Sequence, residues 1–274
     1  TYLTSMGNYL GNAGLGANIG VFYSIQGVVS IFMPALMGIV ADRWIPAQKL
    51  LGICHGIAGA LMIAAGWYGL TTDAVQFSTL FTLYSLSVAF YMPTLALSNS
   101  VAYNALDKAG LDTVKAFPPI RVFGTIGFIC SMWAVDLLGY QPTAAQYAVS
   151  GGLGLLLAIY SFTLPECPIS QNSGKKSLVE ALGLNAFALF KEYRMAIFFI
   201  FSMLLGMMLQ ITNGYANPFI SSFGAYPEFA DTFGVQHANM LISLSQISET
   251  LCILLIPFFL KRFGIKNVML MAML

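Results

Sequence analysis

Along the chain, long apolar runs alternate with short polar breaks. The runs fall at roughly 18–40, 50–70, 76–100, 118–138, 144–164, 195–219 and 236–260. Each is about 20 residues or more, enough to cross a ~30 Å hydrocarbon layer as a helix. They are continuous, whereas barrel strands are about 10 residues long and alternate apolar with polar positions. The pattern predicts an all-α polytopic membrane protein. Residues 1–10 read as the tail of an earlier span and 267–274 as the start of a later one, so the expectation is a chain cut at both ends.

Composition agrees with that class. Hydrophobic residues make up 58% of the chain and charged residues 8%, against about 25% charged in soluble domains. The net charge of +1 becomes informative only once the charges are located. Arg43 and Lys49 follow the first complete span, and Lys108 and Lys115 the third. Lys175, Lys176, Lys191 and Arg194 follow the fifth, and Lys261, Arg262 and Lys266 the seventh. The alternate loops hold no Lys or Arg and carry Asp73, Asp136, Glu228 and Asp231. Basic loops remain in the cytoplasm, so this alternation fixes the parity of the spans and puts the N-terminus and the central loop inside. The longest polar stretch, Pro165 to Lys191, reads as a cytoplasmic linker with a surface helix over 178–190. Three units follow: an N-terminal bundle at 1–164, the linker at 165–194, and the beginning of a C-terminal bundle at 195–274. The four cysteines are scattered, with neither a disulfide framework nor zinc spacing.

Polar side chains inside the spans carry the candidate chemistry. Glu249 lies midway along the last complete span, and Ser243, Gln246 and Thr250 share its helical face. A lone carboxylate at that depth costs several kcal/mol unless it is protonated, paired or wetted by a cavity. A hydroxyl or amide would serve as interhelical glue without that cost, so Glu249 reads as functional, while Ser243 fits either role. Gln210, Asn213 and Asn217 form one stripe at i, i+3 and i+7. Amides offer both donors and acceptors, which suits a polar ligand, and they also bond helix to helix. Asn217, beside Pro218 near the outer end, reads as helix bonding. Arg121, Thr125 and Phe128 lie at i, i+4 and i+7. Arg121 is an interface arginine if its helix starts at Pro118, and lies deeper if the helix extends back through 112–117. In the second span Gln26 is a further polar position, either lining a cavity or bonding a neighbour. Gly151-Gly152-Leu153-Gly154 follows no strand, so it reads as helix packing and not as a nucleotide loop.

Two helix ends six spans apart are alike: Gly38-Ile39-Val40-Ala41-Asp42-Arg43-Trp44 and Pro257-Phe258-Phe259-Leu260-Lys261-Arg262-Phe263-Gly264. Parallel six-span halves are a known transporter plan. The first of these ends also resembles the GxxxDR loop motif of the major facilitator superfamily, which implies a conformational latch at Asp42 and Arg43. Ile45 and Pro46 stand where that motif has Gly and Arg. Longer strings are more specific: 32–42 (FMPALMGIVAD), 117–128 (FPPIRVFGTIGF), 195–206 (MAIFFIFSMLLG), 210–213 (QITN) and 245–250 (SQISET). They are similar to the bacterial nucleoside:proton symporters. That resemblance implies the major facilitator fold, with two six-helix bundles, and proton-coupled nucleoside import across the inner membrane. It implies substrate contacts at Arg121, Thr125, Phe128, Gln210, Asn213, Gln246 and Glu249, with Glu249 also the proton acceptor. The expected partners are a nucleoside and membrane lipid, with no nucleic acid, no metal, and no cofactor other than the coupling proton, in a monomer.

Other classes fit less well. The only histidines, His55 and His237, fall toward opposite ends of the spans, which excludes a shared metal or catalytic triad. A channel would suit the composition, but unpaired polar groups in two repeated halves suit a carrier better. A sugar or oligosaccharide symporter of the same superfamily is the nearest alternative.

Overall fold

A computed structural model describes residues 2–169 and 184–271. Helix α1 (Met6–Asn12) is followed by α2 (Ile19–Arg43), α3 (Ala47–Thr71), α4 (Phe77–Lys108), α5 (Thr113–Leu137) and α6 (Ala145–Ser161). These make up the N-terminal half. The C-terminal half begins with α7 (Tyr193–Ser222) and α8 (Ala238–Met271), joined through two single-turn helices, Pro227–Ala230 and Phe233–Gln236. Among the described residues, six segments are long and apolar enough to cross a membrane, and the apolar α6 is shorter, at 17 residues. All seven expected spans are therefore present as helices.

The differences lie at the helix ends. Helix α4 runs eight residues beyond the expected 100, because Leu97 and Val101 stay buried at helical spacing against Ala41, Leu50, Leu51 and Cys54. Helix α5 starts at Thr113, ahead of Pro118 and Pro119, which both lie inside it. Helix α8 continues past 260 and breaks only at Gly264 (φ 73°, ψ 162°), a conformation open to glycine because it lacks a Cβ. The expected basic turn is thus a single-residue break.

Helices that lack a hydrophobic drive toward one another in lipid rely on close contact, which small residues permit. Helices α3 and α6 meet in this way: a Cβ on Gly151 would lie 2.5 Å from the Gly59 carbonyl oxygen and 2.6 Å from Ile63. Gly151 is therefore packing, as its surroundings in the sequence suggest. On the other side of α4, a buried aromatic cluster ties α1, α2, α4 and α6 together. Tyr84 and Tyr147, both fully buried, pack edge-on with Tyr2, and Phe22 leans on Tyr84.

The start of the linker is pinned to the bundle. The Cys167 N–H donates to Gln48 Oε1 (2.9 Å), Lys108 Nζ donates to the Glu166 carbonyl, and Lys49 pairs with the Glu166 carboxylate at 3.6 Å. The expected surface helix over 178–190 falls partly outside the described residues. Its described portion, Leu184–Lys191, is a 3₁₀ helix. All four cysteines are free. Arg43, Lys49 and Lys108 mark one end of the bundle, here termed the basic end.

Candidate substrate cleft between the two halves

The halves join at the end opposite the basic one. Helix α8 starts after His237, whose carbonyl accepts the Leu241 N–H. The first N–H groups of a helix lack intrahelical partners, and a side chain commonly supplies one. Here it comes from the other half. Asp136, near the end of α5 and 4% exposed, accepts the Met240 N–H on Oδ2 (3.1 Å) and the His237 Nδ1–H on Oδ1 (2.7 Å). A carboxylate is favoured at this site by the positive end of the helix dipole. One turn deeper, Trp133 Nε1 donates to Ser243 Oγ at 2.8 Å, so Ser243 is interhelical glue.

A second run of bonds closes the same end. Asn217 Nδ2 donates to Gln141 Oε1 (2.7 Å) and to Asn239 Oδ1 (3.0 Å), and Thr4 Oγ1 donates to Asn239 Oδ1 (3.0 Å). Ser221 Oγ donates to Asn217 Oδ1 at 3.3 Å, and Ser5 Oγ to Gln146 Oε1 at 2.7 Å. Gln141, Gln146, Asn217 and Asn239 are all buried. Beside this network α1 lies on α7, where a Cβ on Gly7 would come 2.7 Å from both the Gly214 oxygen and the Pro218 ring. Asn217 acts as helix glue, in line with its position beside Pro218.

The candidate residues lie below this seal. Gln210 is seven residues from Asn217 and Gln246 is seven from Asn239. Seven residues are two turns, about 10 Å, and return nearly to the same helix face. Asn217 and Asn239 bond each other between α7 and α8 within the C-terminal half, so Gln210 and Gln246 follow at about one level two turns further down, where Gln210 Nε2 donates to Gln26 Oε1 of α2 at 3.2 Å. Gln210 and Gln246 are half-buried, as is Asn213, one turn above Gln210. Glu249 lies one turn below Gln246 and is exposed, with no ion pair or hydrogen bond among the described residues. The contacts Asp136–Met240 and Trp133–Ser243 set an antiparallel register between α5 and α8. Continued downward, that register brings Phe128 to the level of Ser248 and Thr125 to that of Leu251. Thr125 is buried, at 4% exposure, and Phe128 half-buried.

The depth of Arg121 follows from the start of α5. It is eight residues beyond Thr113, about 12 Å along the axis, which is the deeper of the two readings left open by the sequence. Its guanidinium lies along its own helix toward the next turn, so that a Cβ on Gly124 would lie 3.0 Å from Nη1. It is exposed and does not pair with Glu249. Asp42, at the end of α2, lies on the wall of a separate cavity of about 750 Å³ at the basic end, with Asp107 and Thr113. Arg43 follows it as the last residue of α2.

The sequence pattern placed Asp136 among the loop acids and assigned no role to Gln141 or Asn239. Nothing local marks them, because each bonds a residue about 20 to more than 200 positions away.

An all-helical chain of repeated membrane spans, with a polar seam between two halves, has the major facilitator fold. The coordinates superpose on the crystal structure of a mutant of the nucleoside transporter NupG with a TM-score of 0.86 at 48% identity, covering 98% of this chain and 66% of that one. The chain belongs to the nucleoside H+ symporter family, whose sequence model matches residues 1–274. It is 49% identical to the xanthosine permease of Escherichia coli K12 over all of this chain and 64% of that protein. It is 47% identical to the nucleoside permease NupG of the same organism over 99% of this chain and 64% of that protein. The chain thus spans about two thirds of the length of these relatives.

Proposed function

We propose that the protein containing this chain imports nucleosides together with protons across the bacterial inner membrane by alternating access. The observation that carries the reading is the pair Gln210 and Gln246, half-buried at about one level two turns below the bonded Asn217 and Asn239, in a chain of the nucleoside H+ symporter family. Amide groups at that level offer both donors and acceptors to hydroxyls and a base edge. Asn213, Thr125, Phe128 and Arg121 complete the contacts: Phe128 is placed to stack on a base, and Arg121 to hold a carbonyl edge through two parallel bonds. Its basic end faces the cytoplasm by the charge bias of the loops. The seal at Asp136, Asn217 and Asn239 then closes the outer side. Asp42 and Arg43 form the latch on the inner side. The protein works as a monomer in lipid, with no cofactor beyond the proton.

Glu249 is the proton acceptor in this mechanism. Its carboxyl, exposed in the seam below Gln246, takes a proton as substrate binds. Neutralisation removes the cost of enclosing a charge and lets the halves rock around the occupied site.

The deciding experiment uses the full-length protein in proteoliposomes under an inward proton gradient. Labelled uridine is expected to accumulate, and unlabelled nucleosides to compete while sugars and oligosaccharides do not. Glu249→Gln should abolish accumulation against a gradient. Accumulation that persists in this variant removes Glu249 from coupling, and competition by sugars alone would move the protein to the sugar symporter reading.

A further inference from the structure

Between the halves, the bonds Thr4–Asn239, Gln141–Asn217, Asp136–Met240 and Trp133–Ser243 form the outer seal, and one more lies below them. Gln210 of α7 bonds Gln26 of α2 at 3.2 Å, two turns below Asn217. Gln210 therefore belongs both to the joint between the halves and to the candidate cleft. The two ends of this bond are held unequally. Gln26 is 7% exposed, and the other end of its amide bonds the Tyr84 hydroxyl at 2.6 Å. Tyr84 is fully buried in α4, with Phe22, Tyr2 and Tyr147 packed around its ring. Its hydroxyl can donate or accept, so the two glutamines stay joined whichever way their amides are turned.

Gln210 is half-buried at the rim of the cleft and has Gln26 as its side-chain partner. Opening the outer end carries α7 away from α2. Gln26 stays with Tyr84, so the bond breaks and Gln210 recovers the rotamers of a long, solvated side chain. A ligand that bonds Gln210 in the open state must order it again, and that ordering subtracts from affinity. In the closed state Gln26 has ordered it already.

We propose that Gln26 is a positioning residue that orders Gln210 only while the outer end is closed, so that nucleoside binding and outer closure favour each other. The inference rests on the reading of Gln210 as a substrate contact and adds the residue that ties this contact to the seal. By linkage, a closed state that binds nucleoside more tightly is itself favoured by bound nucleoside, and by the same factor.

The test follows the seal through labelling of Ser221→Cys by a membrane-impermeant maleimide, in full-length protein in proteoliposomes without a proton gradient. Uridine is either absent or saturating on both sides, with saturation of each variant set by equilibrium binding of labelled uridine. Ser221 bonds Asn217 inside the seal, eleven residues and about 16 Å along α7 from Gln210, so bound uridine does not shield it directly. Uridine should slow labelling about fivefold or more, the usual scale of coupling between linked sites. Gln26→Met, similar in size but unable to bond Gln210, should label about fivefold faster without uridine, the scale of one lost hydrogen bond. In this variant the slowing by uridine should shrink to less than about twofold. Gln26→Glu can bond both Gln210 and Tyr84, as the acid or as the carboxylate, and should keep the full slowing. No slowing in the parent protein, or slowing undiminished in Gln26→Met, overturns the link between site and seal. A well-folded Gln26→Glu that loses the slowing also overturns it, and this holds even where Gln26→Met fails to fold. If Gln210→Leu binds uridine as tightly as the parent, the substrate reading of Gln210 fails instead.

Discussion

Asp136 of α5 and His237, at the head of α8, meet at 2.7 Å across the seam between the halves, and the second oxygen of the same carboxylate caps α8 through the Met240 N–H. One buried acid therefore holds both the side chain and the first turn of the opposite half. Asp136→Asn can accept only one of these two donors and turns an NH₂ toward the other. It should weaken the closed end by about 1–3 kcal/mol, the cost of a buried donor left unpaired. Opening is measurable with a cysteine at Ser221, which lies inside the seal, and a membrane-impermeant maleimide. Labelling should accelerate about tenfold or more in the Asp136→Asn background. An unchanged labelling rate would mean that the contact does not hold the closed state.

The same end gives a test of cooperativity. Asn217→Ala leaves the Gln141 and Asn239 carbonyl oxygens without the donor that now joins them. Asn217 and Asp136 hold one interface, so once either has released it the other has less to lose. Their combined effect on labelling and on thermal stability should fall short of the sum by about 0.5–3 kcal/mol, the range for residues that share a network. Strict additivity would show two independent contacts.

How much of this was legible in the sequence depended on the range of the interaction. Helix identity and order followed from runs of apolar residues, a local signal, and all seven expected spans are helices. Ends were less legible wherever burial beyond the apolar run kept a helix going, as Leu97 and Val101 do for α4. Candidate site residues were found through helical spacing, which brings Gln210 and Asn217, or Gln246 and Glu249, onto related faces. Spacing cannot show what stands opposite. Asp136 looked like a loop acid because its partners, His237 and Met240, are about a hundred residues away. Gln26 kept two readings open for the same reason: its buried position behind Gln210 depends on how α2 meets α7.

Helix packing makes a contrast between adjacent glycines. A Cβ on Gly151 would approach backbone and side-chain atoms of α3 to 2.5–2.8 Å, whereas a Cβ on Gly152 meets nothing within 4 Å. Gly151→Ala should destabilise the protein by about 1–3 kcal/mol, as overpacking does. Gly152→Ala should stay within about 0.5 kcal/mol of wild type or gain slightly from helix propensity. Thermal unfolding of the detergent-solubilised protein reads the difference, and equal shifts for the two variants would refute the close approach of α3 and α6.

Cys167 reports on how firmly the start of the linker is held. It is buried against the basic ends of α2, α3 and α4, and its N–H is bonded to Gln48 Oε1. Burial pushes its thiol up from the ordinary value, with the Gln48 backbone N–H and the Lys108 ammonium pulling partway back. The thiolate is the reacting form, so a raised value lowers alkylation at any pH below it. In protein whose other three cysteines are replaced by serine, iodoacetamide should modify Cys167 slowly at pH 7.5. The rate should still be climbing at about pH 9, where an ordinary thiol of pKa about 8.5 is levelling off. Gln48→Ala frees the Cys167 backbone and loosens the segment. Burial then relaxes, the thiol falls toward its ordinary value, and modification at pH 7.5 should quicken. If Cys167 in the unmutated segment reacts at pH 7.5 as fast as a cysteine in an unfolded peptide, the linker is not anchored as described.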